Sequence, residues 1–180
     1  MPELAAGRHG TRAGRLIAVD VSSTFGTLVG QLEYSMFIVT VRAGDELAGC
    51  LVGFGCQTSI DPPRFLICLS RENHTYRVAT GAPELVVHFV PRQADALARL
   101  FGGSTGDAAD KFARCAWESG PGGLPILREC PDWFVGRVID RLDLGDHVGF
   151  LLEPIAAHRA GGAPYYTFEQ AKRLEPGHPA

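Results

Sequence analysis

The chain has 180 residues, of which 46% are hydrophobic and 21% are charged, as in an ordinary globular domain. Its formal net charge of −3 gives no basic footprint for nucleic acid, and no apolar run reaches the ~20 residues of a membrane-spanning helix. Residues 1–15 lack the apolar core of a secretory signal. We therefore expect a flexible N-terminal arm over residues 1–15 and one domain over residues 16–180, with no nucleic-acid or membrane partner.

Alternating and helical periodicity predicts the elements of the first half of the chain. Gly44-Asp45 is a turn signal between two strands, so a hairpin is expected there. Further on, Asp61-Pro62-Pro63 predicts a stiff corner, because proline fixes its own φ angle and restricts the preceding residue. Asn73 is expected to cap the helix that follows the next strand. In chain order we expect a strand over 16–21, a helix capped by Ser22–Thr24, strands over 36–41, 47–55 and 65–69, and a helix over 73–81.

The second half of the chain continues with strands and two helical segments. We expect His88, in the first of these strands, to be a core histidine rather than a ligand. Pro91 suits the first turn of a helix that Gly102 ends, and Asp107 is expected to cap a helical turn through Phe112. In chain order the strands are expected over 84–90, 133–142 and 148–152, with a turn over 144–147 and a short helical stretch near the C-terminus. Since strands and helices do not alternate regularly, the sequence predicts a mainly β, antiparallel barrel with inserted helices.

The five cysteines are scattered through the sequence without a C-x-x-C pair. Their odd number argues against a disulfide framework, and their spacing argues against a thiolate zinc site. No H-x-x-x-H or H-E-x-x-H motif occurs, so no metal site is expected. Reduced cysteines are typical of a cytoplasmic protein, and we expect that location.

Polar residues around the predicted Asn73 helix are candidates for binding a phosphate. Ser70, Arg71, Asn73 and Thr75 lie at a predicted helix N-terminus, where free backbone N–H groups favour an anion. Arg71 adds a guanidinium suited to phosphate oxygens, and Ser59 before the Pro-Pro corner adds a hydroxyl. A planar ring could lie against the glycine-rich strand that precedes them. The sequence therefore predicts an anion-accepting pocket where the corner meets the helix, with an N-capped helix that binds nothing as the alternative.

Several motifs together resemble the flavin reductase-like family of FMN-binding split β-barrel proteins. Ser59-Ile60-Asp61-Pro62-Pro63 is similar to the family's S-x-D-P-P, and Asn73-His74-Thr75 is similar to the polar stretch that opens its short helix. Gly145-Asp146-His147 resembles the family's G-D-H turn, Lys111-Phe112 its K/R-F pair, and Pro164-Tyr165-Tyr166 its C-terminal proline and aromatic residue. The resemblance covers roughly residues 30–170.

The resemblance implies a six-stranded antiparallel split barrel that forms a homodimer, with FMN, or alternatively FAD, at the interface. It implies an enzyme that transfers a hydride from NADH or NADPH to the flavin and supplies a partner monooxygenase. His147 is then the expected catalytic residue, beside the nicotinamide. The implied cofactor-binding residues are Val52, Gly53, Phe54, Cys56, Gln57, Thr58, Ser59, Ser70, Arg71, Asn73, His74 and Thr75.

One segment departs from the family pattern. Where the family has Thr-Ala-Ser-Ser, this chain has Leu51-Val52-Gly53-Phe54, so apolar or small groups replace the hydroxyl groups that face the flavin. Backbone N–H groups remain available to the ring. The departure keeps two alternatives open: a split barrel that holds flavin or haem without reductase turnover, and a flavin-dependent oxidoreductase that acts directly on a small organic substrate.

Overall fold

A computed structural model of the chain describes residues 20–103, 110–161, 164–175 and 177, and the chain divides into two compact units, residues 1–32 and 33–180. In the first unit, helix α1 spans Val21–Val29. Its cap is Asp20, whose carboxylate accepts hydrogen bonds from the backbone N–H groups of Ser22 and Ser23. The cap expected at Ser22–Thr24 was therefore wrong. The expected arm and most of the strand expected over 16–21 lie outside the described residues, and residue 21 is already helical.

The second unit is built on a seven-stranded antiparallel sheet and a separate two-stranded hairpin. Its elements are β1 (Phe37–Ala43), β2 (Glu46–Val52), β3 (Gly55–Ser59), β4 (Arg64–Ser70), α2 (His74–Thr80), β5 (Glu84–Phe89), α3 (Asp95–Gly102), β6 (Trp117–Ser119), β7 (Pro125–Leu127), β8 (Trp133–Asp143), β9 (His147–His158) and α4 (Phe168–Ala171). The main sheet has the order β2-β1-β5-β8-β9-β4-β3, and β6 pairs with β7. Short 3-10 turns lie at Phe112–Arg114 and Pro121–Gly123.

The predicted mainly β, antiparallel class is confirmed, but the main sheet of the described chain has seven strands rather than six. The additional strand is β3, of which only Gly55 fell within the strand expected over 47–55. The chain leaves β2 at Gly53-Phe54, and β3 then pairs with β4 instead of β1.

The main sheet curls so that its two edges share one core. Ala48 and Cys50 of β2 belong to the same buried cluster as Ile67 and Leu69 of β4, although four strands separate β2 from β4 in the sheet. The edge strands β2 and β3 are not neighbours in the hydrogen-bonded order, so the barrel is split rather than closed. Helix α2 packs against β1 and β2, and its Val78 joins the same cluster.

Strand β1 is buried on both faces. Phe37, Val39 and Val41 point into the barrel, whereas Met36 and Ile38 join a second cluster outside it. Helix α3, the Leu127–Cys130 segment and the C-terminal Tyr166 contribute most of the rest of this outer cluster, which explains why 36–39 is an unbroken apolar run.

His88 is a core histidine, as predicted. It is fully buried on β5, its Nδ1–H donates to the Ile38 carbonyl at 3.0 Å, and its Nε2 accepts from the Leu127 N–H at 3.1 Å. These two bonds fix the neutral tautomer and join β5 to β1 and β7. Both polar ring atoms are satisfied without a ligand.

Two helix starts differ from the sequence expectation. Helix α3 begins at Asp95 rather than near Pro91, because Pro91 forms a β-bridge with Tyr165. The expected cap Asp107 lies outside the described residues. Within them, Asp110 accepts hydrogen bonds from the N–H groups of residues 112 and 113 and so starts the next turn. No helix in the described ranges is long and apolar enough to cross a membrane.

Candidate functional site

An open pocket of about 200 Å³ lies where β2 and β4 end and α2 begins, and we call it the strand-end pocket. Six of the predicted site residues line it: Val52, Gly53, Phe54, Ser70, Asn73 and His147. The other lining residues are Tyr34, Met36, Cys50, Leu51, Cys68, Leu69 and Phe168. Residues that are distant in sequence therefore meet at one end of the barrel.

Strand pairing brings the central residues of the pocket together. The Cys68 N–H donates to the Phe54 carbonyl at 2.9 Å, and Ser70 stands opposite His147 in the pairing of β4 with β9. The rings of Phe54 and His147 are 5.1 Å apart with an interplanar angle of 59°. Phe54 is 56% exposed, so its ring presents a large apolar surface at the pocket rim.

A second aromatic pair lines the pocket, and sequence reasoning missed it. Tyr34 and Phe168 are stacked with centroids 4.7 Å apart and an interplanar angle of 12°. The Phe168 N–H donates to the Tyr34 carbonyl at 2.9 Å, which fixes the C-terminal segment beside β1. Burial raises the pKa of the Tyr34 phenol, so the ring is neutral at neutral pH. The nearby sequence signal was the aromatic stretch at Pro164-Tyr165-Tyr166.

His147 is the first residue of β9, and one nitrogen of its ring is hydrogen-bonded to the preceding residue. Its Nδ1–H donates to the Asp146 carboxylate at 2.9 Å, and the side chain is 18% exposed. The same hydrogen bond lowers the pKa of Asp146, so this carboxylate is ionised at neutral pH. A neighbouring carboxylate of this kind orients an imidazole and stabilises positive charge on it.

The start of α2 forms the polar end of the pocket. As predicted, the Asn73 side chain caps the helix by accepting the Thr75 N–H at 2.9 Å. Thr75 is only 1% exposed, and its hydroxyl is hydrogen-bonded to the Cys50 thiol. Burial raises the pKa of that thiol. Thr75 is thus hydrogen-bonded to two pocket residues, Asn73 and Cys50, but does not itself line the pocket.

The structure does not bring the Pro-Pro corner to this helix. Ser59 pairs with Arg64 at the start of β4, whereas Ser70 at its other end lines the pocket. A strand rises about 3.3 Å per residue, so the two ends of β4 are about 20 Å apart. The expected single pocket formed by the corner and the helix is therefore wrong for this chain. The cofactor-binding roles of Cys56, Gln57, Thr58 and Ser59 remain predictions, since none of them lines the strand-end pocket.

Two further residues predicted to bind the cofactor, Arg71 and His74, instead contact protein groups outside the pocket. The Arg71 guanidinium lies 2.9 Å from the Asp143 carboxylate, and its Nε–H donates to the Gly145 carbonyl at 2.9 Å. His74 Nε2 lies 3.2 Å from the Glu46 carboxylate. Neither side chain lines the pocket, so a direct role in binding a ligand there stays a prediction for both.

All five cysteines are free, and the described residues contain no group of three or more metal-ligating side chains placed to hold an ion. The pocket itself combines aromatic rings and an exposed main-chain segment with a polar end formed by Ser70 and Asn73. Such a lining suits a planar aromatic ligand with a polar substituent. The fold and the site together define a split β-barrel with a pocket suited to a ligand of this class.

The chain belongs to the flavin reductase-like family, because the model of the flavin reductase like domain matches residues 29–174. An FMN reductase (NADH), RutF, of Bradyrhizobium diazoefficiens is 31% identical over 148 residues, which are 78% of this chain and 82% of the relative. The stachydrine N-demethylase reductase subunit of Rhizobium meliloti is 27% identical over 128 residues, 69% of this chain and 54% of the relative. Among solved structures, the NADH:FAD oxidoreductase SgcE6 of Streptomyces globisporus C-1027 has the same fold, with a TM-score of 0.76 at 23% identity over 85% of this chain and 91% of that chain.

Proposed function

We propose that this chain is an NAD(P)H-dependent flavin reductase that binds FMN in the strand-end pocket. The observation that carries the proposal is the lining of the pocket, where the Tyr34–Phe168 and Phe54–His147 pairs meet a polar end. Membership of the family and the NADH-dependent FMN reductase activity named for a relative support the choice of flavin and nicotinamide. FAD is the alternative flavin, since one solved relative is named for it.

The residues present fit a flavin. Its tricyclic ring has apolar faces, which the aromatic side chains can cover, and polar edges, which main-chain groups around Gly53 can meet. The Ser70 hydroxyl and the Asn73 amide lie at the polar end, where they suit the ribityl chain and its phosphate. When bound, a flavin would supply the redox chemistry, with NADH or NADPH as the hydride source.

The protein's own contribution to turnover is binding and orientation. Hydride transfer requires no protein base, so positioning the two rings supplies most of the acceleration. His147 is the proposed catalytic residue, because it lines the pocket and its ring is oriented by Asp146. At that position its imidazole can orient the nicotinamide or steady the negative charge of a reduced flavin.

We also propose that the site is completed in a homodimer. A pocket of about 200 Å³ is smaller than the ~300–1,000 Å³ typical of sites for ligands of this size, so one protomer offers part of a site. The outer face of β4, β8 and β9 carries Leu66, Leu142 and Leu151. Together with Leu144 in the turn between β8 and β9, we call these residues the leucine face. The side chains of Leu66 and Leu144 converge over Gly149, where an added Cβ would lie 3.0 Å from each.

The leucine face leads directly into the strand-end pocket. Cys68 lies two residues beyond Leu66 on the same face of β4, and it lines the pocket. Leu142 and Leu144 are 39% and 51% exposed, so the face leaves apolar surface for a partner to cover. A second copy seated there would bring its own residues to the flavin. The proposed homodimer is tested by measuring the mass of the protein in solution. Twice 19.3 kDa is expected, and a monomeric mass at all concentrations would contradict the dimer.

The reductase activity is tested by mixing the purified protein with FMN and NADH, or NADPH, without oxygen. Loss of the visible flavin absorbance faster than in the protein-free mixture is expected. A rate equal to that of the mixture would refute the reductase. A protein that retains flavin without oxidising either nicotinamide would instead be a flavin-binding module, and a haem spectrum after purification would identify the haem-binding form of that module. Bleaching of bound flavin by a small organic substrate, but not by a nicotinamide, would identify the flavin-dependent oxidoreductase.

The proposed physiological role is to supply reduced flavin to a partner monooxygenase in the cytoplasm. The relative named as the reductase subunit of a demethylase supports a two-component system, and five free cysteines support a reducing compartment. The test is a flavin-dependent monooxygenase whose only source of reduced flavin is this protein. Substrate oxidation that depends on both proteins and on nicotinamide is expected, and none would be seen if the electrons go elsewhere.

A further inference from the structure

Arg71 holds the turn between β8 and β9 from the end of β4. Its Nε–H donates to the Gly145 carbonyl at 2.9 Å, and a terminal guanidinium nitrogen lies 2.9 Å from the Asp143 carboxylate. Its backbone N–H also donates to the Asp146 carbonyl at 3.0 Å. One residue therefore contacts three positions of the turn, and the guanidinium lies outside the strand-end pocket.

The turn has little buried surface of its own. The Asp143 and Asp146 side chains are 78% and 71% exposed, and Gly145 adopts a φ of +102°, which few other residues accept. The Asp143 carboxylate also accepts the Gly145 N–H at 3.1 Å, and this bond together with Arg71 lowers the pKa of Asp143. In a segment with so little packing, hydrogen bonds of this kind decide which conformation persists.

The position of His147 follows from this turn. His147 is the next residue, its ring Nδ1–H donates to Asp146, and its carbonyl accepts the Leu144 N–H at 3.1 Å. Asp146 is in turn held by the backbone N–H of Arg71. A shift of the turn would therefore move the imidazole relative to Phe54, whose ring is 5.1 Å away.

We propose that Arg71 is a positioning residue, which sets the orientation of His147 at the strand-end pocket by holding Asp143 and Gly145. The effect on turnover rests on the proposed reductase function, but the effect on His147 does not. Arginine suits the task because its planar guanidinium donates in two fixed directions, whereas lysine offers a single point charge. A lone exposed ion pair adds little to stability, so the loss of Arg71 should alter geometry more than folding.

The kinetic test compares Arg71→Ala with a matched control, Arg128→Ala. Arg128 is another surface arginine, paired with Glu118 at 3.3 Å and 63% exposed. Arg71→Ala should lower kcat/KM for NADH about tenfold, since small misplacements of a catalytic group have effects of this size, and Arg128→Ala should leave it unchanged. In a His147→Ala background the same Arg71→Ala change should produce no further loss. Independent losses in the double variant would overturn the proposal.

Flavin binding separates this role from a direct phosphate contact. If Arg71 acts through the turn, Arg71→Ala should change the affinities for FMN and riboflavin by the same factor. A loss of FMN affinity alone would show that the guanidinium binds the phosphate, and it would overturn the positioning role. Arg71→Lys should recover part of the kcat/KM lost in Arg71→Ala, because the ammonium can pair with Asp143 but lacks the planar fork that holds Asp143 and the Gly145 carbonyl in fixed directions.

The claim that Arg71 sets the orientation of His147 can be tested without measuring enzyme activity. In the ligand-free protein, the NMR resonances of the His147 ring should shift in Arg71→Ala and stay in place in Arg128→Ala, because the nearby Phe54 ring makes them sensitive to orientation. Unchanged His147 resonances in Arg71→Ala would overturn the proposal. If the wild-type protein oxidises no nicotinamide, the reductase function fails, while this measurement still tests the role of Arg71.

Discussion

Acid should destabilise this protein through His88. The ring is fully buried between β1, β5 and β7, and burial lowers its pKa from 6.5 to about 4. In the folded state it is held neutral, with Nδ1–H donating to Ile38 and Nε2 accepting from Leu127. A proton on Nε2 would remove the acceptor for the Leu127 N–H and leave a charge in the core.

The size of the effect follows from the two pKa values. As the pH falls below about 6.5 the unfolded chain binds a proton at His88, whereas the folded chain binds one only near pH 4. Between these values the unfolded state holds more protons, so the free energy of unfolding decreases as the pH decreases. The difference of about 2.5 pKa units corresponds to about 3 kcal/mol, lost in full only below about pH 4.

The assay is urea denaturation of the wild-type protein and of His88→Gln at one protein concentration, because an oligomer's stability depends on concentration. Glutamine offers an amide group that can donate and a carbonyl oxygen that can accept, but it does not titrate. The wild type should be the more stable protein at about pH 7.5. Between about pH 7.5 and pH 4.5 the wild type should lose most of the ~3 kcal/mol that is linked to His88, and the variant should not show this loss. Equal pH dependence in both proteins would refute the assignment of a neutral, proton-excluding His88.

Three further substitutions test the site, the core and the interface. His147→Ala should lower kcat or raise the KM for NADH more than it weakens FMN binding in steady-state and equilibrium measurements; a pure loss of FMN affinity would contradict its catalytic role. Lys111→Met should cost about 1–3 kcal/mol in urea denaturation, because the buried Lys111 ammonium donates to the Gly49 and Phe101 carbonyls at 2.9 and 3.3 Å and both would lose their donor. Leu144→Asp should shift the protein toward monomer in light scattering, and an unchanged mass would exclude Leu144 from the interface.

Local signals predicted the elements that depend on local chemistry. Gly44-Asp45 does form the two-residue loop between Ala43 and Glu46, because a hairpin of that length needs the turn residues that stand there. Asn73 does cap α2, because its side chain satisfies a backbone N–H that the helix leaves free. Such interactions span only a few residues, so the sequence carries them directly.

The assembly of the pocket depends on contacts that no local pattern contains. Tyr34 and Phe168 meet because the C-terminal segment returns to β1, a pairing that periodicity cannot specify. The error of placing the Pro-Pro corner beside the Asn73 helix had a different cause. The strand predicted over 65–69 already implied that the Pro-Pro corner and the Asn73 helix lie about 13 Å apart, because a strand is nearly fully extended. Strand length alone argued against one pocket formed from both ends of β4.

The departure at Leu51-Val52-Gly53-Phe54 changes how the site can recognise a flavin. Val52 is 5% exposed and packs in the barrel core, whereas Phe54 is 56% exposed, so Phe54 is the member of this segment that offers most side-chain surface to a ligand. An aromatic ring there favours stacking over hydrogen bonding, and stacking is indifferent to the phosphate. Discrimination between FMN and riboflavin should therefore come from the polar end, at Ser70 and Asn73.

Two variants separate these contributions. Phe54→Ala should weaken FMN and riboflavin by the same factor, about tenfold for the loss of one stacking partner, because both flavins share the ring. Asn73→Ala should weaken FMN more than riboflavin, and Asn73→Ser, which retains a capping oxygen, controls for the loss of the helix cap. Equilibrium titration of both flavins by fluorescence gives the ratios. If Phe54→Ala spared riboflavin, the aromatic surface would not be the seat of the ring, and the flavin would have to bind elsewhere on the barrel.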